Sequence, residues 1–291
     1  MNCIKDVRSC EEKPCFSQDL TNILDSSLII GTLRDNLYNI KLVDCGEYVQ
    51  VYYLKNKRVK KPNNDNNLNI VSSTDDKIMN KKISNSFKKI ALKNINRSKF
   101  ECQRLAKCNS KDWCTFITLT FKDNIIDLNV ANNEYKKFIY KVKRIFKNFM
   151  CLCVPEFQKR GAVHFHLLTN IAIENKDLIY NQKDNKKFLH IKYWNNGFDS
   201  VENVKGNMEK IIGYISKYMT KDIDDRLFSH HRYFYTRNLK RPIVNYLNFD
   251  DKKHLDFYNK KIENKNIIYS SEYIDIFNNE KIAFREFLKA S

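Results

Sequence analysis

The chain has 291 residues, of which 13% are aromatic and only 6 are Gly and 4 are Pro. This length and composition can bury a core, and they exclude collagen-like, low-complexity and intrinsically disordered classes. The formal net charge of +18 favours a polyanionic partner such as nucleic acid. Part of that surplus also reflects the Lys- and Asn-rich composition typical of an AT-rich genome.

The cysteine pattern and the apolar segments indicate a compartment. The nine Cys form no C-x-x-C pair, so free thiols in a reducing compartment are favoured over a disulfide framework or a zinc ribbon. The first residues are charged and lack an apolar core segment, and no apolar run is long enough to span a bilayer. We therefore expect a cytoplasmic protein without a membrane partner.

The N-terminal part alternates in the manner of strands. LIIGTL, YNIKLVD and EYVQVYYL, all within residues 28–54, predict two or three short strands. Residues 55–76 are basic and then Asn-rich, which is typical of a linker. We therefore predict that residues 1–76 form a β-rich arm followed by a basic, Asn-rich linker.

The middle of the chain mixes helical and strand patterns. Apolar residues at helical spacing predict a basic helix within residues 77–108. TFITLTF (115–121) predicts a strand, and residues 131–149 predict an amphipathic helix. MCLCVPEF (150–157) and AVHFHLLT (162–169) predict the two strands of a hairpin.

After the hairpin, a mixed loop is predicted up to Gly197, and Trp194 within it is interpreted as a structural turn residue in preference to a base-stacking one. FDSVENV (198–204) predicts a strand, and residues 207–222 predict a helix. The order of elements predicts an α+β fold with a largely antiparallel sheet. We expect a domain over residues 77–249 and a C-terminal helical tail over 250–291.

Two histidines on one strand are the first candidates for chemistry. His164 and His166 are two residues apart, so both imidazoles point to one face of a strand. The three-residue loop KRG ends in Gly161, which suits a left-handed position and predicts a register with Glu156 opposite His164. Glu156 and Gln158 then share the histidine face. Such a set suits Mn²⁺ or Mg²⁺, and also non-haem iron, whereas the alternative is a chance H-x-H on an exposed strand.

Two tyrosines on one helix are the second candidates. Tyr214 and Tyr218 are one turn apart, and each is followed three residues later by a lysine, Lys217 or Lys221. A phenol ordinarily ionises with a pKa of ~10, so a phenol nucleophile needs a nearby cation or a metal. Lysine supplies a compact charge that also holds phosphate. The alternative is an amphipathic helix with solvated Tyr and Lys.

The two features occur in order with a third, and together they resemble a known family. TFITLTF, VPEFQKRGAVHFHLL and IIGYISKYMTKD resemble the three motifs of the HUH endonuclease superfamily of rolling-circle replication initiators. The resemblance is closest to the initiators of gokushoviruses, which are microviruses, and to related plasmid initiators. It covers residues 84–242, including HRYFYTRNLKRP. It implies an HUH endonuclease fold, with a central antiparallel five-stranded sheet and flanking helices.

The resemblance also implies an activity. It implies a metal-dependent, site-specific DNA endonuclease and strand transferase that starts rolling-circle DNA replication. The His pair would hold Mg²⁺ or Mn²⁺, with Glu156 as third ligand or Gln158 as its substitute. The two tyrosines, beside Lys217 and Lys221, would attack single-stranded DNA and leave a 5′-phosphotyrosine and a free 3′-OH.

Partners follow from the same resemblance and from the charge. Cations mixed with aromatic residues suit single-strand binding, and the candidates are Lys159, Arg160, Arg232, Tyr233, Arg237, Lys240 and Arg241. We expect single-stranded origin DNA, a host polymerase and a host helicase as partners, since no Walker-type loop is present. No small-molecule cofactor is expected, and a phage-encoded chain would act in the host cytoplasm. An HUH transposase or relaxase, or a non-catalytic nucleic-acid-binding protein, remains the alternative.

Overall fold

A computed structural model describes residues 36–60, 94–183, 186–206, 208–217, 231–275 and 279–290. Within these ranges the strands are β1 (Leu37–Cys45), β2 (Tyr48–Val59), β3 (Thr115–Phe121), β4 (Cys151–Phe157), β5 (Val163–Thr169), β6 (Leu178–Lys183), β7 (Lys186–Ile191), β8 (Gly197–Asn203), β9 (Phe234–Tyr235), β10 (Ile243–Leu247), β11 (Lys265–Asp275) and β12 (Glu280–Lys289). The helices are α1 (residues 94–108), α2 (Leu128–Ile145), α3 (Met208–Lys217) and α4 (Lys252–Ile262). The predicted strand at 28–33 lies outside the described residues.

The strands form two five-stranded sheets and a separate hairpin. We call the sheet with the order β8-β3-β5-β4-β9 the site sheet, and the sheet with the order β10-β1-β2-β12-β11 the terminal sheet. Strands β6 and β7 form the hairpin, and every described pairing is antiparallel. The predicted α+β class with antiparallel sheets is therefore confirmed.

Helix α2 covers one face of the site sheet. The helix begins after Asp127, whose side chain accepts hydrogen bonds from the backbone N–H groups of Asn129 and Val130 and so caps the first turn. Its buried residues pack against the apolar odd-numbered positions of β3 and β5, such as Leu119 and Phe165. The helix ends at Ile145, four residues before the predicted end.

The opposite face of the site sheet is covered only in part. Helices α1 and α3 pack their apolar residues against one end of that face. The sheet residues that they cover include Phe116, Leu152 and Leu168. Every second residue of a strand points to the same face, so Thr118, Thr120 and both candidate histidines lie beyond the covered part.

The segment predicted as a mixed loop contains structure that the sequence did not reveal. Strands β6 and β7 pair from Leu178↔Ile191 to Lys183↔Lys186, and their apolar residues join the core beneath α2. Trp194 is buried, and its Nε1 donates to the carbonyl oxygen of Thr120 over 3.0 Å. The interpretation of Trp194 as a structural residue is therefore confirmed.

The terminal sheet joins segments from opposite ends of the described chain. Strand β12 pairs with β2 from Ile282↔Leu54 to Leu288↔Tyr48, and β10 pairs with β1. The segment predicted as a helical tail thus has one helix, α4, followed by the hairpin β11–β12. Local sequence did not reveal this because the partners of these strands lie far away along the chain.

A polar network attaches α1 to the terminal sheet. The Glu286 carboxylate accepts hydrogen bonds from the Gln50 amide over 2.8 Å and from the Lys107 ammonium. Arg104 donates to Gln50 over 2.9 Å and to the Tyr52 hydroxyl over 2.7 Å. Because other residues of α1 pack against the site sheet, this helix lies between the two sheets and connects them.

This network predicts a stability difference. Glu286→Ala leaves the largely buried Lys107 charge without its carboxylate, so we expect the free energy of unfolding to fall by about 3 kcal/mol. Lys111→Ala removes a pair with Glu47 in which the lysine is 71% exposed, so we expect a loss under about 1 kcal/mol. Urea unfolding followed by circular dichroism measures both, and equal losses would contradict the importance of the buried network.

Candidate active site

The β4–β5 hairpin has the register that the sequence predicts. Glu156 lies opposite His164. The Gln158 N–H donates to the carbonyl oxygen of Ala162 over 2.8 Å, and Gly161, with φ at 90°, donates to the carbonyl oxygen of Gln158 over 2.8 Å. The positive φ at Gly161 is the left-handed position of a three-residue loop. The predicted register is confirmed.

Two rows of side chains cross the uncovered part of the site sheet. Residues directly opposite each other on neighbouring strands point to the same face. The first row is therefore Phe198, Thr120, His164 and Glu156, and the second is Ser200, Thr118, His166 and Val154. The two imidazoles lie in adjacent rows, with ring centroids 6.2 Å apart.

His166 is held on both ring nitrogens. Its Nε2 lies 2.8 Å from Oε2 of Glu156, and its Nδ1 lies 3.2 Å from Oγ1 of Thr118. The ring also stacks on Phe116 with centroids 5.8 Å apart. These contacts fix the orientation of an imidazole that is only 4% exposed.

His164 has a different environment. It is 8% exposed, and its buried Nε2 has no hydrogen-bond partner among the described residues. Burial lowers the pKa of His164 to about 4, and charges on His166 and Arg160 lower it further against an opposing effect of Glu156. A neutral imidazole with an unused nitrogen is the form in which histidine binds a metal.

The donor atoms fit a divalent cation in their chemistry more closely than in their arrangement. Two imidazoles and a carboxylate on one face are a suitable donor set. In the described part of the chain, however, no group of three or more His, Cys, Asp or Glu side chains is arranged to hold a metal ion. Glu156 is hydrogen-bonded to His166, and the Gln158 amide oxygen accepts from Nε of Arg160 over 2.8 Å.

Tyr214 lies on the histidine side of the site sheet. Its ring makes an edge contact with Phe116, with centroids 5.6 Å apart, and the same Phe116 ring stacks on His166. The Tyr214 side chain is 47% exposed, while Ile212 and Ile215 bury the other side of α3. One buried phenylalanine thus connects the candidate nucleophile to the candidate ligand.

A second contact fixes α3. The Gln103 amide of α1 donates to the Ser216 hydroxyl over 2.9 Å, and that hydroxyl donates to the carbonyl oxygen of Gly213 over 2.9 Å. Lys217 is exposed at the last described residue of the helix. The other two predicted site residues of this segment, Tyr218 and Lys221, lie outside the described residues.

The cationic candidates for DNA binding fall in two places. Lys159 and Arg160 occupy the hairpin tip, where Lys159 is exposed and Nη2 of Arg160 donates to the carbonyl oxygen of Phe121 over 3.2 Å. The remainder lie near β9 at the far edge of the site sheet. There Arg237 is exposed, and burial lowers the pKa of the Arg232 guanidinium.

The other β9 candidates have protein partners. The Lys240 ammonium lies 3.0 Å from Asp112, and the Tyr233 hydroxyl donates to Glu101 over 3.3 Å. Arg241 lies over the Tyr235 ring at 5.4 Å and donates to its hydroxyl over 3.2 Å. The tyrosines and the lysine therefore have structural contacts, whatever else they bind.

Sequence analysis missed Phe116, Thr118, Thr120 and Phe198 as neighbours of the histidines. The first three alternate within TFITLTF, the strand already singled out as a motif. The signal was their alternation, but its use required the pairing of β3 with β5. Sequence alone did not supply that pairing.

The fold and site define an α+β protein with paired imidazoles on an antiparallel sheet and an exposed tyrosine beside them. Residues 114–223 match the family model of the replication-associated protein ORF2, or gene 2 protein, which covers a little over a third of the chain. The match supports a replication-initiator family, a role in DNA replication and binding of origin DNA. No curated protein and no solved structure matches the chain. Among the described helices, none has the length and apolar character to cross a membrane.

The His164 environment predicts a pH dependence of the metal-free protein. The pKa of His164 is about 4 when folded and about 6.5 when unfolded, so the unfolded state binds more protons between these pH values. The stabilising effect of the neutral ring is thus complete above pH 6.5 and is lost as the pH falls towards 4. We expect unfolding in EDTA to show this slope and His164→Gln to reduce it. An NMR titration with a pKa near 6.5 would contradict the prediction.

Proposed function

We propose that the chain is a rolling-circle replication initiator of the HUH endonuclease superfamily, which nicks single-stranded origin DNA by tyrosine transesterification. The observation that carries the proposal is the shared contact of Tyr214 and His166 with the Phe116 ring. The match to a replication-associated family over 114–223 and the net charge of +18 also support it. A polyanionic substrate and a phosphate-directed nucleophile are consistent with all three.

In the proposed reaction, the phenol oxygen of Tyr214 attacks the scissile phosphorus and loses its proton to solvent. A bond forms between this oxygen and phosphorus, and the bond from phosphorus to the 3′ oxygen breaks. The leaving oxygen takes up a proton, so the products are a 5′-phosphotyrosine and a free 3′-OH for a host polymerase. Lys217, three residues along the helix, would favour the phenolate and stabilise phosphate charge.

Tyr218 and Lys221 are proposed to repeat this step. After one round of synthesis, a second tyrosine could attack the regenerated junction while the first still holds its DNA end. The 3′-OH released by that attack would then displace the first tyrosine and close the strand into a circle. The sequence Y-x-x-K in tandem supports two equivalent nucleophiles one helical turn apart.

We further propose that His164 and His166 hold Mg²⁺ or Mn²⁺, with Glu156 or Gln158 as third ligand. The support is the neutral His164 ring with its unused Nε2 and the suitable donor set. When bound, such an ion polarises a phosphate oxygen and stabilises developing negative charge. Glu156 already orients the His166 ring through their 2.8 Å contact, as outer-shell carboxylates do.

The nucleophile assignment predicts a covalent intermediate. With circular single-stranded DNA and Mn²⁺, we expect the unaltered chain to form a protein–DNA adduct that withstands denaturing electrophoresis. The double variant Tyr214→Phe, Tyr218→Phe should form none, because it lacks both phenol oxygens. Tyr140→Phe is the matched control, since Tyr140 is exposed on α2 at the other face of the sheet. An adduct in the double variant would refute the assignment.

The metal assignment predicts a binding site. We expect isothermal titration calorimetry to detect Mn²⁺ binding, and the double variant His164→Ala, His166→Ala to weaken it by more than roughly tenfold, the loss seen even for outer-shell changes. His254→Ala is the control, because His254 lies on α4. Equal affinity of both variants would place the metal elsewhere, and EDTA should also abolish adduct formation.

A further inference from the structure

One exposed aromatic residue on the histidine face has no role in the proposed chemistry. Phe198 in β8 lies opposite Thr120, and Thr120 lies opposite His164 on its other side. The three side chains therefore share one row and one face. Neighbouring strands are about 4.8 Å apart, so β8 runs roughly 10 Å from the strand that carries His164.

The position of Phe198 distinguishes it from a core residue. It is 42% exposed, although the other large apolar residues of β3 and β5 in the same face are buried. His190 makes an edge contact with its ring, with centroids 5.3 Å apart and planes at 90°. That contact supports the ring from one side while leaving a large part of it accessible.

The backbone before Phe198 is tightly placed. A Cβ atom at Gly197 would lie 2.3 Å from the carbonyl oxygen of Thr120 and 2.4 Å from the backbone nitrogen of Lys122. Only glycine allows this approach of β8 to the end of β3. The adjacent Phe198 is thereby held at a fixed point of the row.

Cations surround the same end of the row. Lys122 directly follows β3 and is exposed, and Lys159 is exposed at the hairpin tip. Arg160 contacts the end of β3 through the carbonyl oxygen of Phe121, and its charge acts on His164. An aromatic ring beside a cationic edge is the combination that binds single-stranded nucleic acid.

We propose that Phe198 is a stacking platform for a base of single-stranded DNA, next to the nucleotide whose phosphate lies at the histidine pair. This inference rests on the proposed function and adds a binding residue to it. Stacking on an aromatic face tolerates every base, so Phe198 would hold the strand in place without selecting its sequence. The cations Lys122 and Lys159 would contact the backbone phosphates.

Binding of a fluorescein-labelled oligodeoxythymidylate of about 20 nucleotides tests the proposal, since this probe exceeds common site sizes. We use the full chain in EDTA, where no nicking is expected, and measure fluorescence anisotropy. Phe198→Ala should weaken binding by about 5- to 100-fold, the effect of losing one stacked base. Phe198→Trp should bind within about threefold of the unaltered chain, because it keeps an aromatic face.

The salt dependence separates stacking from charge. The slope of log affinity against log salt should be unchanged in Phe198→Ala, and should become shallower by about 0.7 in Lys159→Ala, since one phosphate contact is lost. Tyr140→Ala, an exposed aromatic change on α2, is the matched control and should bind normally. Circular dichroism checks that every variant is folded.

The outcomes separate this inference from the proposed function. Unchanged affinity in Phe198→Ala, or equal weakening in Phe198→Trp, would overturn the stacking role, and adduct formation would then still support the nuclease. If the unaltered chain bound no oligonucleotide, both would fail. If the inference holds, Phe198→Ala should regain normal adduct formation at saturating DNA, because only binding is impaired.

Discussion

The register of one hairpin determines the candidate site. Gly161 takes a left-handed φ of 90°, which closes a three-residue loop and places Glu156 opposite His164. Side chains alternate along a strand, so a shift by one residue would move Glu156 to the face under α2. The hydrogen bond between His166 and Glu156 and the row that reaches Phe198 both depend on this loop. The chemistry of the face therefore begins with a backbone conformation that favours glycine.

The site sheet separates stability from function along the length of its strands. At one end of the histidine face, α1 and α3 bury apolar residues, and at the other end the polar rows stay uncovered by described helices. Phe116 lies at the boundary, where it contacts both Tyr214 and His166. One core residue therefore stabilises the sheet and sets the position of the tyrosine relative to the imidazoles.

Local sequence patterns predicted the elements whose partners lie nearby. The strands of the β4–β5 hairpin, their register, β3, β8 and α2 were evident from alternation, helical spacing and turn chemistry. The hairpin β6–β7 and the terminal sheet were not, because pairing between distant segments has no local signature. The same limit applies to the site: the shared face of Glu156 and the His pair followed from one turn, whereas Phe116 and Phe198 became neighbours only through β3. The hydrogen bond that engages Glu156 with His166 was also beyond sequence reasoning.

The terminal sheet has a consequence for biosynthesis. Strands β1 and β2 leave the ribosome before the site sheet, but β12, which pairs with β2, is made after it. All strands of the site sheet are made between these segments, so that sheet can assemble first. Until β12 arrives, one side of β2 lacks its hydrogen-bonding strand, and Lys107 lacks Glu286. The nascent chain thus carries an open strand edge for most of its synthesis, which is the period when it is most exposed to aggregation.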